Sequence, residues 1–304
     1  LLKFDNVQKS FGSKQVLKGV NFSVDRGEIV GLLASNGGGK TTSMRIALGL
    51  MKPDIGEVLV AGQKIAPDSV RGVGYMPEER GLYSDETVVN QLRYFARLHR
   101  IPKEKMKPRI KELLDKLEVS QFADSKVKEL SLGNKQRIQI ASALIHSPEL
   151  LVLDEPFSGL DPLAVDRFQY LLREYAASGA AILFSSHQIE IVEKISDRVV
   201  IMKDGIVSYD GTASGISSPE DKVLVHVSLN LSKGRKIEDI TFDNNERIES
   251  AQAVIDGVKL ILKSGEISVG ELMQCGLKPE EIREMRYEKN SLLDTLSSIY
   301  GKDT

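Results

Sequence analysis

The sequence predicts an α/β fold: a parallel sheet carrying a phosphate-binding loop, an antiparallel β side layer, a helical subdomain and, after a linker, a small C-terminal α+β domain. Three observations predict it. Residues from Glu28 to Leu50 read as buried strand, glycine-rich turn and helix, in that order. A second apolar run, LLVLDEP at 150–156, ends in two carboxylates. Between them, from Thr87 to about Ser147, apolar residues switch to i, i+3, i+4 spacing.

Residues 1–25 hold two extended runs, LLKFDNVQKSF and VLKGVNFSV, separated by Gly12 and Ser13, which predicts an antiparallel hairpin. Phe11 at its turn is either an ordinary hairpin aromatic or a ring that stacks on a purine, with Val16 packing nearby. The strand EIVGLL then leads into Ala34, Ser35, Asn36, Gly37, Gly38, Gly39, Lys40, Thr41 and Thr42. Unpaired N–H groups at a helix N-terminus attract an anion, and the helix dipole reinforces them. Glycines let the backbone wrap closely around phosphates, Lys40 reaches the β- and γ-phosphates, and the Thr41 hydroxyl ligates Mg²⁺. Ala34 stands where the strict phosphate-loop pattern has Gly. If that position requires positive φ, alanine is strained by roughly 1 kcal/mol.

KPDIGEVLVAGQKI predicts a turn and a strand of a β-rich side layer, and a short strand over Val70 to Met76 is broken by Pro77, followed by Glu78, Glu79 and Arg80. Three helices follow within VVNQLRYFARLHR, KEKMKPRIKELLDKLEV and NKQRIQIASALIH, with Pro102, Pro108 and Pro148 marking entries and an exit. His99 and His146 lie in this subdomain, about 84–148, with no partner at metal-ligand spacing, and read as structural.

LLVLDEP predicts a parallel strand with its acids at the C-terminal edge, where open α/β sheets bind ligands. Asp154 holds Mg²⁺ through water and Glu155 accepts a proton from an attacking water. A helix over Leu163 to Ala177 leads to the strand AILFSS and His187, which either caps the next helix or takes part in the chemistry. RVVIMKDGIVSYDG reads as a hairpin turned at Asp204 and Gly205. TASGISSPE at 212–220 reads as a linker, dividing the chain into domains 1–215 and 221–304. Beyond it VLVHVSL, a hairpin at Asp256-Gly257, helical SVGELMQC and SLLDTLSSIYG predict a small α+β domain in which His226 fills the sheet.

With 304 residues, 41% hydrophobic and 28% charged, the chain has the composition of a globular protein of about two domains. Net charge is −2, and residues 221–304 hold 12 basic against 15 acidic residues, leaving 29 against 28 elsewhere. Neither part carries a basic nucleic-acid footprint, so no nucleic-acid partner is expected. The single cysteine, Cys275, excludes an intrachain disulfide and reads as packing in a reducing interior. No run approaches a membrane span and no signal-peptide pattern is present.

The phosphate loop, LLVLDEP, SGLD and His187 together resemble the nucleotide-binding subunit of an ATP-binding cassette (ABC) transporter over about residues 2–215. The most specific part is KELSLGNKQRIQIASALIHSPELLVLDEPFSGLD, in which LSLGN at 130–134 resembles the family's LSGGQ signature, departing from it at Leu132 and Asn134. GYMPEERGLY resembles a subgroup of bacterial exporter ATPases similar to the sodium-efflux type, with Glu78 where the family has Gln.

The resemblance implies an ATPase using ATP and Mg²⁺, with the metal held by Thr41, Glu78 and Asp154. Glu155 polarises water, His187 contacts the γ-phosphate, and Phe11 stacks on adenine. It implies a homodimer or paired ABC subunit arranged head to tail, in which Ser131 and Gly133 of one chain meet the γ-phosphate on the other and Asp161 communicates between sites. The dipole of a helix over Lys135 to His146 adds to that contact. It implies a separate transmembrane permease subunit and a cytoplasmic location, peripheral on the inner face of the membrane. Two alternatives stay open: a soluble ABC ATPase of repair, translation or cluster assembly, and a regulatory ATP-binding module with little turnover. The chain has one cassette and no sustained heptads, against the former, and keeps Glu155 and His187, against the latter.

Overall fold

In a computed structural model of the chain, the described residues are 1–35, 37–65, 72–79, 81–212, 223–231, 240, 242, 245–254, 256–263 and 267–288. The chain divides into two compact units, Leu1–Ala213 and Ser214–Thr304. Val70, Arg71 and the linker residues 213–220 lie outside the described residues, as does SLLDTLSSIYG at 291–301.

The first unit opens with β1 (Leu2–Phe11) and β2 (Lys14–Val24), paired antiparallel with Phe11 opposite Lys14. Gly12 at their turn has φ +60°, a value that favours glycine. Leu2, Phe4, Val20, Phe22 and Val24 face inward, with the Phe4 and Phe22 rings stacked at 4.3 Å. β3 (Ile29–Ala34) is followed by α1 (Lys40–Ala47), then by β4 (Ile55–Val60) and the short β5 (Gln63–Lys64). Among the described residues, β2-β1-β4-β5 form the antiparallel side layer. Its apolar face shares one core with Met44 and Ile46 of α1 and with Val30 and Leu32 of β3.

β6 (Val73–Met76) leads into the helices α2 (Val88–Leu98), α3 (Lys103–Lys116) and α4 (Leu132–Leu144). β7 (Leu150–Leu153), α5 (Pro162–Ala177), β8 (Ala181–Ser185), α6 (Ile189–Ile195), β9 (Arg198–Lys203) and β10 (Ile206–Gly211) complete the unit. The second sheet has the order β10-β9-β3-β8-β7-β6, parallel from β9 to β6, with β10 antiparallel at its edge. Parallel strands buried on both faces carry continuous apolar runs, and LLVL and AILFS are buried throughout. At the opposite end of the sheet Arg198 ties three elements together, bonding Glu28 at 2.8 Å, Asp210, and the carbonyl of Ser23 in β2 at 2.5 Å.

The helices differ from their sequence reading at two places. Pro102 is the N-cap of α3, but Pro108 lies inside that helix rather than at a boundary. A single turn precedes it, and the burial of Ile110, Leu113 and Leu114 carries the helix through. α4 starts at Leu132 rather than Lys135, because Ser131 is its N-cap and its Oγ accepts the Asn134 N–H at 3.3 Å.

His99, the C-cap of α2, and His146, just beyond α4, stack ring on ring at 3.6 Å with 4° between planes. The two rings pack on each other. Burial above all, with the charges of His99 and Arg109 adding to it, pushes His146 down to about 4, and the nearby Val73 backbone offsets only part of this.

The second unit contains β11 (Val223–Leu229), β12 (Ile248–Val254), β13 (Gly257–Leu262), α7 (Val269–Gln274) and β14 (Ile282–Glu288), with sheet order β12-β13-β11-β14. β14 was not expected: IREMRYE mixes charges into both faces and lacks a clean alternation. It pairs β11 all the same, placing His226 between Lys259 and Arg286, with His226 Nε2 3.4 Å from Asp256 Oδ1. Val225, Val227, Leu260, Leu262, Leu272 and Cys275 form the core of this unit. Among the described residues no helix is long and apolar enough to cross a membrane.

The His146 shift has a signed consequence. Between pH about 6.5 and 4 the unfolded chain binds a proton at this residue that the folded chain refuses, so stability falls as pH drops through that window, by about 3 kcal/mol in total. Urea midpoints measured from pH 7 to pH 4 should show a steeper acid loss for the wild type than for His146→Phe, which keeps a stacking ring and cannot titrate.

Candidate functional site

The C-terminal ends of β3, β6, β7 and β8 open on one edge of the parallel sheet, and each delivers a candidate residue there. After β3 comes the glycine loop. Gly37 and Gly39 take φ +76° and +97°, and a Cβ on Gly39 would lie 2.4 Å from Leu17 Cδ2, so only glycine fits. Lys40 begins α1, whose N-terminus has no side-chain cap, leaving the first-turn N–H groups to face the loop. Asn36 lies outside the described residues.

Ala34 corrects one expectation. It is the last residue of β3, paired in register with Met202, and is not among the positive-φ residues. An extended position accepts alanine without strain, so the departure from Gly costs the loop nothing here.

Lys40 Nζ stands 2.9 Å from Glu155 Oε1, and His187 Nε2 lies 3.2 Å from both atoms. The His187 backbone N–H donates to Glu155 Oε2 at 3.2 Å. The side chains of Lys40 and Glu155 are only 12% and 11% exposed, whereas that of His187 is 60% exposed. His187 does not cap the next helix, whose N-cap is Gln188.

Asp154 is buried, and its Oδ1 accepts from Ser185 Oγ at 2.6 Å, while Ser185 Oγ accepts the Glu155 N–H at 2.8 Å. Ser185 thus organises both acids. Two serines, Ser185 and Ser186, ending an apolar strand were the signal that could have pointed to it.

A cleft of about 390 Å³ lies over the loop, bounded by Lys14, Val16, Thr41, Thr42, Glu78 and His187 together with Ser35, the loop glycines and Lys40. Lys14 was not anticipated; its place opposite Phe11 in the hairpin brings it there. A larger groove of about 690 Å³ runs along α2 past Tyr83 and Tyr94, but it contains neither the glycine loop nor Glu155. Among the described residues no three His, Cys, Asp or Glu cluster as a metal site. Thr41 and Glu78 bring a hydroxyl and a carboxylate to the cleft, and the buried Asp154, next to Glu155, adds a second carboxylate outside its lining; all are hard oxygen ligands of the kind Mg²⁺ takes.

Ala34, Asp154 and Glu155 lie outside the cleft lining, Glu155 reaching it through Lys40 and His187, and so do Phe11, Ser131, Gly133 and Asp161. Phe11 is 49% exposed, with Lys9 Nζ 5.9 Å from its ring centre. Ser131 and Gly133 form the start of α4, where a Cβ on Gly133 would stand 3.0 Å from Gly159 O. Asp161 caps α5, accepting the Ala164 N–H at 2.9 Å and Arg137 Nη2 at 2.8 Å. These bonds, the Ala164 N–H first, hold its carboxyl below the usual carboxylate range.

Residues 17–158 match the family model described as ABC transporter. The chain is 35% identical to an ABC transporter ATP-binding protein of Bacillus subtilis, YhaQ, over 99% of each chain. It is 37% identical to the Nod factor export ATP-binding protein I of Burkholderia lata, covering 72% of this chain and 73% of that one. Among solved structures, the ATP-binding subunit of an ABC transporter aligns with TM-score 0.68 at 34% identity, over 71% of this chain and 91% of that one. A dimeric ATP-binding cassette in a post-hydrolysis state bound to ADP and Pi aligns with TM-score 0.64 at 27% identity, over 70% and 98%.

The loop geometry separates two substitutions that look alike in sequence. Gly39→Ala should weaken binding of a fluorescent ATP analogue at least about 100-fold, through both the φ and the Leu17 clash. Ala34→Gly should change it by less than about threefold, since position 34 is extended.

Proposed function

We propose, since this chain belongs to the ABC transporter family as an ATP-binding subunit, that its own cleft hydrolyses ATP and that this drives export through a separate membrane subunit. Subunits of this family are ATPases, converting ATP to ADP and phosphate. The observation that carries the assignment to this cleft is the convergence of Lys40, Glu155 and His187 within 2.9–3.2 Å beside the uncapped start of α1.

The phosphates of ATP rest against the first-turn N–H groups of α1, where the helix dipole favours them. Lys40 transfers its ammonium from Glu155 to the β- and γ-phosphates, which frees Glu155 Oε1 to accept a proton from water. The water oxygen forms the new bond to phosphorus as the bond to the leaving ADP breaks, and His187 orients the γ-phosphate. Thr41, Asp154 and Glu78 would hold Mg²⁺, which when bound neutralises charge on the phosphate oxygens. Phe11 and Val16 would pack on the adenine from the hairpin.

A second chain, a copy or a paired ABC subunit, would complete each site head to tail through Ser131, Gly133 and Asp161, a reading that the similarity to a dimeric cassette supports. The relative named for Nod factor export supports an outward direction. The absence of a spanning helix among the described residues fits a subunit that sits on the cytoplasmic face through its permease. We place the boundary between the ATPase domain, 1–215, and an accessory domain, 221–304, in the linker.

Two substitutions test these roles. Glu155→Gln should lower Mg-ATP turnover at least about 100-fold in a phosphate-release assay, whereas a chain that only binds ATP would show no difference. Glu78→Gln removes a carboxylate from the metal's surroundings. It should raise the Mg²⁺ concentration needed for half-maximal turnover severalfold, and an unchanged Mg²⁺ titration would argue against Glu78 as a ligand.

A further inference from the structure

The Glu155 carboxylate is carried on a turn that no sheet ladder holds. Glu155 has φ +49°, left-handed backbone that a residue with a Cβ seldom adopts, and a residue before proline ordinarily prefers extended backbone. Its two backbone polar groups are both held by buried side chains. The N–H donates to Ser185 Oγ at 2.8 Å. The carbonyl accepts from Gln136 Nε2 at 3.3 Å and from the Ser158 N–H at 3.2 Å, and the same amide nitrogen reaches Pro156 O at 3.0 Å.

The peptide joining Glu155 to Pro156 has no N–H, so its carbonyl is its only polar group. Gln136, 3% exposed, ties that carbonyl and the Pro156 carbonyl to α4, while the Ser158 N–H closes the turn locally. Without this amide Glu155 O keeps the Ser158 N–H, but Pro156 O loses its donor and the turn loses its tie to α4, so that helix no longer fixes the direction of the Glu155 Cβ. The next residue along α4 grips the far end of the same segment, Arg137 donating to Asp161 at 2.8 Å. One helix therefore holds residues 155–161 at both ends.

We propose that Gln136 is a positioning residue for hydrolysis: its amide clamps the 155–156 carbonyls and fixes the turn that aims the Glu155 carboxylate at Lys40 and His187. The proposal rests on reading Glu155 as the group that polarises water. Because α4 also begins with Ser131 and Gly133, the clamp makes the aim of the carboxylate depend on where this helix sits.

The test compares kcat and, separately, affinity for a fluorescent ATP analogue in the wild type, Gln136→Met, Ile145→Val and Glu155→Gln, with melting temperatures recorded for each. Ile145→Val trims a buried side chain at the other end of α4 and should lower the melting temperature without touching turnover. Gln136→Met should lower kcat about tenfold to a hundredfold while affinity stays within about twofold, the cost of a misplaced reacting group rather than of lost binding. If Gln136→Met does not fold, Gln136→Asn, which keeps the amide but falls one methylene short, should show the same split. Unchanged kcat in the variant that folds, or kcat and affinity lost in step, overturns the proposal. Wild-type turnover in Glu155→Gln would instead overturn the reading of Glu155 beneath it.

Discussion

The ion pair between Lys40 and Glu155 joins loops 115 residues apart, and it forms only because β3, β8 and β7 run parallel and in register. Gly31 sits opposite Phe184 and Leu153 opposite the same Phe184, so β7 and β8 end within one residue of each other while β3 runs on to Ala34, and all three release their loops on one edge. A largely buried ion pair gives little net stability, because desolvation of both charges offsets their attraction. Its value lies in placing a cation and a carboxylate where a triphosphate can exchange one partner for another. Ser185, at the end of the strand between them, fastens the Asp154–Glu155 step through two short bonds.

Polar bonds from α4 join the helical subdomain to this edge. Gln136 reaches the Glu155 turn, Arg137 reaches Asp161, and Gln139 donates to Pro77 O at 2.8 Å beside Glu78. These are polar clamps from a helix whose own Ile138, Ile140, Ala141 and Leu144 are buried. A shift of α4 is therefore felt by the segments that carry Glu155, Asp161 and Glu78, whereas the glycine loop is anchored independently by β3 and the side layer.

Much of this was legible in the sequence because the chemistry lies in contiguous strand-to-loop runs. GLLASNGGGKTT and LLVLDEP declare both their strand and their reactive group within a dozen residues, and His187 follows its strand directly. What stayed hidden depends on contacts between distant positions. Gln136 bonds carbonyls 19 and 20 residues away, and nothing in NKQRIQIASAL distinguishes its buried amide from a solvated one. The stacking of His99 on His146 required two helices to end side by side. Ala34 misled in the other direction, since a pattern written for glycine does not say which glycines need positive φ.

We propose that the cleft over the glycine loop is one wall of a site closed by Ser131 and Gly133 of a second chain. Mixing two inactive chains, Lys40→Ala and Ser131→Ala, tests it most directly. In a head-to-tail pair of the two, one site combines the intact loop of one chain with the intact Ser131 of the other. The mixture should recover turnover, up to about a quarter of the wild-type rate, since half of the pairs are mixed and each has one intact site. A mixture as inactive as either chain alone would contradict the account.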